Sequence, residues 1–147
     1  MARSILAVIV GYIVMFVLQF LAFVTVYSMM GANWSFKPES YHASTRWTLM
    51  QFTVIFVTAI IAGLICALIA RGGKAPLALA AVALVIGFTL GALHVATQPA
   101  DTGELRPANV PNMVAMTKAR HPMWVIFAGP LIAAAGILVG GKLRRRS

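Results

Sequence analysis

Residues 47–70 read WTLMQFTVIFVTAIIAGLICALIA and contain no charged side chain. An apolar run longer than about 18 residues is the signature of a transmembrane helix. Backbone groups in a bilayer must hydrogen-bond within their own segment, so such a run is predicted to be helical. Three further uncharged runs cover residues 5–32, 75–100 and 121–141. The sequence therefore predicts four spans, near residues 5–29, 46–70, 76–97 and 122–141.

The composition excludes both a soluble domain and a disordered chain. Hydrophobic residues make up 61% of the 147 positions and charged residues only 10%, whereas a soluble domain carries about a quarter charged residues. A chain of this length forms a single domain. The first uncharged run is too long for a secretory signal, so we expect it to be a retained span. The single cysteine, Cys66, excludes an internal disulfide.

The basic residues predict the orientation. One side of the predicted spans collects seven basic residues and no acid: Arg3, Arg71, Lys74, Lys142, Arg144, Arg145 and Arg146. The opposite side mixes five basic residues with all three acids. Positive charge in short segments beside spans marks the cytoplasmic face. Both termini are therefore predicted to lie on the cytoplasmic side of a bacterial inner membrane. The same residues, Arg3 apart, are predicted to contact anionic lipid headgroups. We therefore interpret the net charge of +9 as an indication of lipid contact and not of nucleic-acid binding.

The two predicted outer loops, residues 30–45 and 98–121, are longer than the inner turn. In the second loop, Val110, Met113, Val114 and Thr117 repeat at helical spacing, which predicts a short amphipathic helix at the membrane interface. Trp34, Tyr41, Trp47 and Trp124 are predicted to form an aromatic belt at the same boundary. Residues 37–41 also resemble residues 106–110. This similarity raises the hypothesis of a duplicated helical hairpin, beside the alternative of a chance match.

Small residues are expected to hold the helices together, because helices in lipid associate by close packing. Every span carries small residues four positions apart, which predicts an all-α, antiparallel four-helix bundle. Spans three and four are the richest in Ala and Gly and are expected to approach most closely. The glycines predicted to pack between helices are Gly11, Gly63, Gly87, Gly91, Gly136 and Gly140.

Few polar residues fall inside the spans. Gln19, Thr58 and Thr89 are predicted at similar depth, and Pro130 frees the carbonyl of Ile126 near that level. We therefore predict one buried polar layer from these four positions. Its plainer interpretation is a set of hydrogen bonds that fixes helix register. The alternative is a polar step in a permeation path or a contact to a quinone headgroup.

Three histidines from separate parts of the chain, His42, His94 and His121, all map to the outer boundary. Imidazoles that converge can bind zinc, copper or haem iron. No ligand spacing beyond shared depth supports such a metal site. The sequence favours independent structural roles for the three, and no cofactor is predicted.

The function predicted from the sequence rests largely on what the chain lacks. Ion-coupled carriers place ionisable groups inside the bilayer, and no predicted span contains a charged residue. The sequence also contains no recognisable catalytic motif. We therefore predict a non-catalytic accessory subunit or homo-oligomeric membrane component. The alternatives are a histidine-based redox protein that contacts metal, haem or quinone, and a small channel or exporter for uncharged solutes.

Overall fold

The computed structural model describes residues 2–71, 74–98 and 103–146, without the side chains of residues 145 and 146. These residues form five helices: α1 (Ala2–Ser35), α2 (Thr45–Ala70), α3 (Ala75–Thr97), α4 (Asn112–Thr117) and α5 (Met123–Arg146). All except α4 are long and apolar enough to cross a membrane. The described residues contain no strand, only two isolated β-bridges. The predicted all-helical class with four apolar helices is confirmed.

Local chemistry explains where the helices end. The hydroxyl of Ser44 accepts a hydrogen bond from the backbone N–H of Trp47 at 3.1 Å and caps the start of α2. Arg71 ends the same helix in the left-handed conformation, with a φ of 55°. Gly31, with a φ of 72° and a ψ of 178°, kinks α1 near its end. The first helix is thus longer than the predicted span, and one further turn follows the kink.

The packing of the helices agrees only in part with the predicted antiparallel bundle. The N-terminus of α1 lies beside the C-terminus of α2, where Arg3 Nε donates a hydrogen bond to the carbonyl of Ile69 at 3.1 Å. We call this the terminal end, and the opposite end the cap end. Helices that follow one another along the chain are antiparallel, but the most extensive contact joins α2 to α5, which run parallel.

The helix contacts agree only in part with the hypothesised duplication, which stays a hypothesis: the α1–α2 and α3–α5 contacts are similar in extent, but one pair of contacts is not matched. A two-fold axis that relates the hairpin α1–α2 to the hairpin α3–α5 would make the α1–α5 and α2–α3 contacts equivalent. Within the described residues α2 packs against α3, whereas α1 and α5 do not pack together.

The closest backbone approach joins α2 and α5, not α3 and α5 as the sequence suggested. A Cβ atom added to Gly63 would collide with the backbone carbonyl of Ile137, and one added to Gly140 would collide with that of Ile60. Between α3 and α5, a Cβ on Gly87 would instead meet a side-chain atom, Pro130 Cγ, at 2.6 Å. The predicted pairing was wrong because the number of small residues on a helix sets how closely another helix can approach it. That number does not determine which helix packs there.

The remaining predicted glycines also lie between helices. A Cβ on Gly11 would come 2.8 Å from Leu79 Cδ2, one on Gly91 would come 3.0 Å from Ile126 Cγ2, and one on Gly136 would come 2.8 Å from Ala59 Cβ. Towards the terminal end, Leu79, Cys66 and Ile137 are completely buried. The bundle is therefore tightly packed in its terminal half.

The two connecting segments close the cap end by pairing with each other. We call residues 36–44 and 103–122 the cap. The N–H of Ala43 donates to the carbonyl of Arg120 at 2.9 Å, and the N–H of Arg120 donates to the carbonyl of Tyr41 at 2.9 Å. Tyr41 is buried beneath this pairing. It does not join the predicted aromatic belt, because the cap covers it.

Arg106 fastens the second segment of the cap to the first. Its side chain is only 6% exposed. Its Nη1 atom donates to Asn33 Oδ1 at 2.9 Å and its Nε atom to the carbonyl of Ser40 at 3.2 Å. The guanidinium carbon also lies 6.0 Å from the ring centre of Phe36. A buried cation needs such partners, so this one side chain organises both segments.

The second connecting segment contains the short helix α4, and the position predicted for it at the membrane interface stays a prediction. It is held against α1, because the hydroxyl of Tyr27 donates to the carbonyl of Asn112 at 2.7 Å. The N–H of Ala32, which follows the kink at Gly31, donates to Asn112 Oδ1 at 3.3 Å. The kink and the start of α4 are thus joined by two hydrogen bonds.

We expect Gly63→Ala and Gly140→Ala each to lower the free energy of unfolding by about 1–3 kcal/mol, because the added methyl group overpacks the α2–α5 contact. Thermal unfolding in detergent measures the change. Gly129→Ala is the matched control, since its Cβ would come only within 3.6 Å of Ile55 Cδ1, an ordinary contact. Equal losses in all three variants would contradict this account of the interface.

Candidate functional site

Two cavities meet in the half of the bundle nearest the cap. The deep cavity, about 450 Å³, lies between α1, α2, α3 and α5. The cap cavity, about 700 Å³, is bounded mainly by α1, α2, and the segment that contains α4. Three polar residues line both cavities: Gln51, His94 and His121. We call these three residues the junction.

Gln51 is the residue that sequence reasoning missed. It lies on α2, one turn after Trp47, and its Oε1 atom is buried without a hydrogen-bond partner. No other buried side-chain nitrogen or oxygen among the described residues is left unpaired. The available signal was a strongly polar side chain inside an uncharged run, the same signal that singled out Gln19.

His121 is held firmly at the junction. The residue before it, Arg120, pairs with the first segment of the cap, residues 36–44, through both its N–H and its carbonyl. The carbonyl of Pro122, the residue after it, accepts the N–H of Val125 at 3.0 Å at the start of α5. Removal from water lowers the pKa of His121 below its usual 6.5, and the charge of a protonated His94 lowers it further. At neutral pH this imidazole is therefore uncharged, with one N–H donor and one acceptor.

The predicted group of three histidines is not assembled. His94 and His121 share the junction, but His42 is not among the residues that line either cavity. The backbone of His42 pairs with Arg120 in a β-bridge, one residue before His121. Among the described residues, no three His, Cys, Asp or Glu side chains form a group that could hold a metal ion.

The predicted polar layer is also not formed. Gln19 and Pro130 both line the deep cavity. The hydroxyl of Thr58, however, donates within its own helix to the carbonyl of Val54 at 2.7 Å. Thr89 is exposed on the outside of α3 and bonds there to the carbonyl of Val85. Threonine hydroxyls satisfy themselves on the preceding turn, which is why similar depth did not bring these residues together.

The deep cavity does not continue through the bundle. Its lining reaches Tyr12 on α1 and Ala83 on α3. Below these residues the completely buried side chains of Leu79, Cys66 and Ile137 fill the space. The cavity is therefore a recess that belongs to the cap half of the bundle.

Small residues create the recess. Its lining includes Ala83, Gly87 and Gly91 on α3 and Gly129 and Ala133 on α5. No Asp, Glu, Lys or Arg lines either cavity in the part of the chain that the structure describes. The combination offers an uncharged, mainly apolar volume with hydrogen-bonding groups gathered at one level.

The basic residues predicted to contact lipid headgroups occupy the opposite end. Arg71, Lys74, Lys142 and Arg144 are all exposed there. The predicted contacts of Arg145 and Arg146 lie outside the described side chains. No Asp or Glu occurs in the first or last 35 residues or in residues 47–98, so the terminal end is uniformly basic.

Comparisons of this chain with family models, with curated proteins and with solved structures find no match.

We expect the thermal stability of the protein in detergent to fall as the pH drops below about 6.5. The folded pKa of His121 lies below its unfolded value, so the unfolded chain takes up a proton first and folding becomes less favourable. His121→Gln, which cannot titrate, should reduce this decline between pH 7.5 and pH 5. His42→Gln is the control and should retain it. An unchanged decline in His121→Gln would contradict the burial of a neutral imidazole.

Proposed function

We propose that this chain is a non-catalytic membrane protein that holds an uncharged, amphiphilic small molecule in the two joined cavities. The observation that carries the proposal is the junction, where an unpaired buried acceptor and two imidazoles meet between two apolar volumes. Ligand sites have this character: they are concave and mainly apolar, with a few convergent polar groups.

The size of the cavities supports this proposal. Volumes of about 450 and 700 Å³ each fall within the range of roughly 300–1,000 Å³ that small-molecule sites occupy. An alkyl chain or ring gains free energy by leaving water for such a volume. The polar junction then fixes the depth at which a headgroup stops.

The surroundings of the cap cavity suggest a route of entry from the lipid. Phe20 and Val24 on α1 line it together with Met113 and Met116 on α4. All four side chains are exposed on the outside of the bundle, and Met113 is 74% exposed. Methionine side chains adapt to ligands of different shape. A molecule dissolved in the membrane can thus enter between α1 and α4 without crossing water.

The alternatives from the sequence receive less support. A channel needs a continuous path, and the terminal half of the bundle is filled. A metal-based redox protein needs a ligand set, and the described residues contain no group of three suitable side chains. Contact with a quinone-like molecule at the junction remains compatible with the proposal.

The proposal is tested by filling the deep cavity. Gly129→Leu projects a side chain into it, whereas Ala135→Leu makes a similar enlargement on an exposed position of the same helix. Protein purified from its membrane in mild detergent should retain about one lipophilic molecule per chain, detected by native mass spectrometry. The Gly129→Leu variant should lose it and the Ala135→Leu variant should keep it.

Absence of a retained molecule in the unchanged protein, or equal retention in both variants, would refute the proposal. Size-exclusion chromatography of each variant shows whether the fold is preserved.

We also propose that α1 carries the contact surface for a partner subunit or a second copy of the chain. This helix packs mainly on α2 and less on α3, and its apolar side chains at Ile9, Ile13 and Phe16 are all more than half exposed. A second helix packed on this face would gain the dispersion contacts that hold helices together in lipid.

Phe16→Cys in a Cys66→Ala background should form a disulfide-linked dimer when native membranes are treated with a thiol oxidant, if the partner is a second copy. A cysteine at Met15, which is buried, is the matched control. Monomer alone in both variants would exclude self-association through this face, and co-purification of a different chain would then identify an accessory role.

The proposed location is a bacterial inner membrane with the terminal end in the cytoplasm. The exposed basic residues of that end support this orientation by the positive-inside rule. The cap and α4 would then lie at the outer interface.

A further inference from the structure

We infer that the headgroup held at the junction is uncharged and bears an O–H donor that hydrogen-bonds to Gln51 Oε1. This inference rests on the proposed function and names the chemical class of its ligand: an alcohol or a hydroquinone with a long apolar tail.

The donor is required by the unpaired acceptor. Gln51 Oε1 is buried, and it is the one buried side-chain polar atom without a partner among the described residues. A buried acceptor left unpaired costs about 1–3 kcal/mol. Proteins rarely keep such a group unless water or a ligand satisfies it. Gln51 lines both cavities, so a rotation of its amide brings the buried acceptor to a ligand hydroxyl at the junction, and that hydroxyl supplies the missing donor.

The neutral charge follows from what surrounds the junction. Neither cavity has an Asp, Glu, Lys or Arg in its described lining. The nearby Lys118 is engaged on the outside of the cap, where its Nζ atom lies 2.6 Å from Glu104 Oε1. An anionic or cationic headgroup would lose its hydration at the junction without gaining an opposite charge.

The histidines complete the recognition of a hydroxyl. His121, which is uncharged at neutral pH, offers one donor and one acceptor and can bond to the oxygen or to the proton of a hydroxyl. His94 lines the junction beside it. A headgroup with both roles, as in an alcohol or a hydroquinone, matches this set better than an ether or a quinone, which only accept.

The two cavities fix the direction of the ligand. The cap cavity is the larger and opens towards lipid beside Met113 and Phe20. Towards the terminal end, the deep cavity stops above the buried Leu79. With its headgroup at the junction, the ligand therefore places its long tail in the larger cap cavity, while a ring substituent or short branch occupies the deep cavity.

The experiment compares ligand pairs of similar size that differ chiefly in whether they carry an O–H donor. The first pair is 1-dodecanol and dodecyl methyl ether. The second is decylubiquinol and decylubiquinone. Binding to the delipidated, folded protein in detergent is measured by native mass spectrometry at several ligand concentrations. The donor-bearing member of a pair should bind about fivefold to tenfold more tightly, as one hydrogen bond provides.

Gln51→Leu should remove this preference while both members of the pair still bind. Gln98→Leu is the matched control, because Gln98 lines neither cavity. It should retain the preference. If Gln51→Leu does not give a monodisperse protein, Gln51→Met provides the same test with an unbranched side chain.

The outcomes separate the inference from the proposed function. Equal binding of both members in each pair, or a preference that survives in Gln51→Leu, overturns the inference and leaves the proposed function standing. Tighter binding of dodecanoate than of dodecanol at pH 8 overturns the uncharged headgroup. A preference in both pairs assigns the site to hydroxyl groups in general, and a preference in the quinol pair alone assigns it to a hydroquinone ring. Failure of all these ligands to bind refutes the proposed function itself.

Discussion

The architecture depends on the contact between α2 and α5, where backbone lies against backbone. Gly63 faces the carbonyl of Ile137, and Gly140 faces the carbonyl of Ile60, in a reciprocal arrangement with the same spacing on both helices. Lipid offers no hydrophobic force to bring helices together, so the energy must come from dispersion contacts at close range. Only glycine permits this range. The outer helices α1 and α3 then pack on the central pair.

The cap end is held together by different forces. Apolar packing gives way there to hydrogen bonds between loop segments, anchored by the buried Arg106. The kink at Gly31 contributes, since it turns the chain at the end of α1 and leaves the N–H of Ala32 to the side chain of Asn112. One end of the molecule is thus stabilised by the tight fit of small residues and the other by polar connections. The cavities lie between these two regimes.

The sequence predicted what a bilayer enforces and missed what side-chain direction decides. The helices followed from uncharged runs, because lipid leaves the backbone no other solution. The glycines followed from the need for close packing. The polar layer failed because shared depth does not mean a shared face: Thr89 points outward. Gln51 was overlooked for the same reason, since its position on α2 became meaningful only when α3 and the segment before α5 brought His94 and His121 beside it.

The recess arises from the same helix face that stabilises the bundle. Gly136 on α5 lies against α2, and an added Cβ would meet Ala59 Cβ at 2.8 Å. Gly129 lies two turns nearer the cap, and there an added Cβ would meet only Ile55 Cδ1, at 3.6 Å. Still nearer the cap, the rings of Phe52 and Trp124 pack between the two helices, and their centroids are 5.9 Å apart.

The α2–α5 contact therefore widens towards the cap, from backbone contact through a gap to a pair of rings. The side chain of Pro130, beside Gly129, is packed against α3 at Gly87 and does not close that gap. The hydrogen bonds of the cap hold α2 and α5 apart at one end, and the glycine contacts hold them together at the other. Closing the recess would therefore disrupt the cap or the glycine contacts. A binding volume is thus a geometric consequence of how this bundle is fastened, and Gln51 supplies the polar group that gives it chemical selectivity.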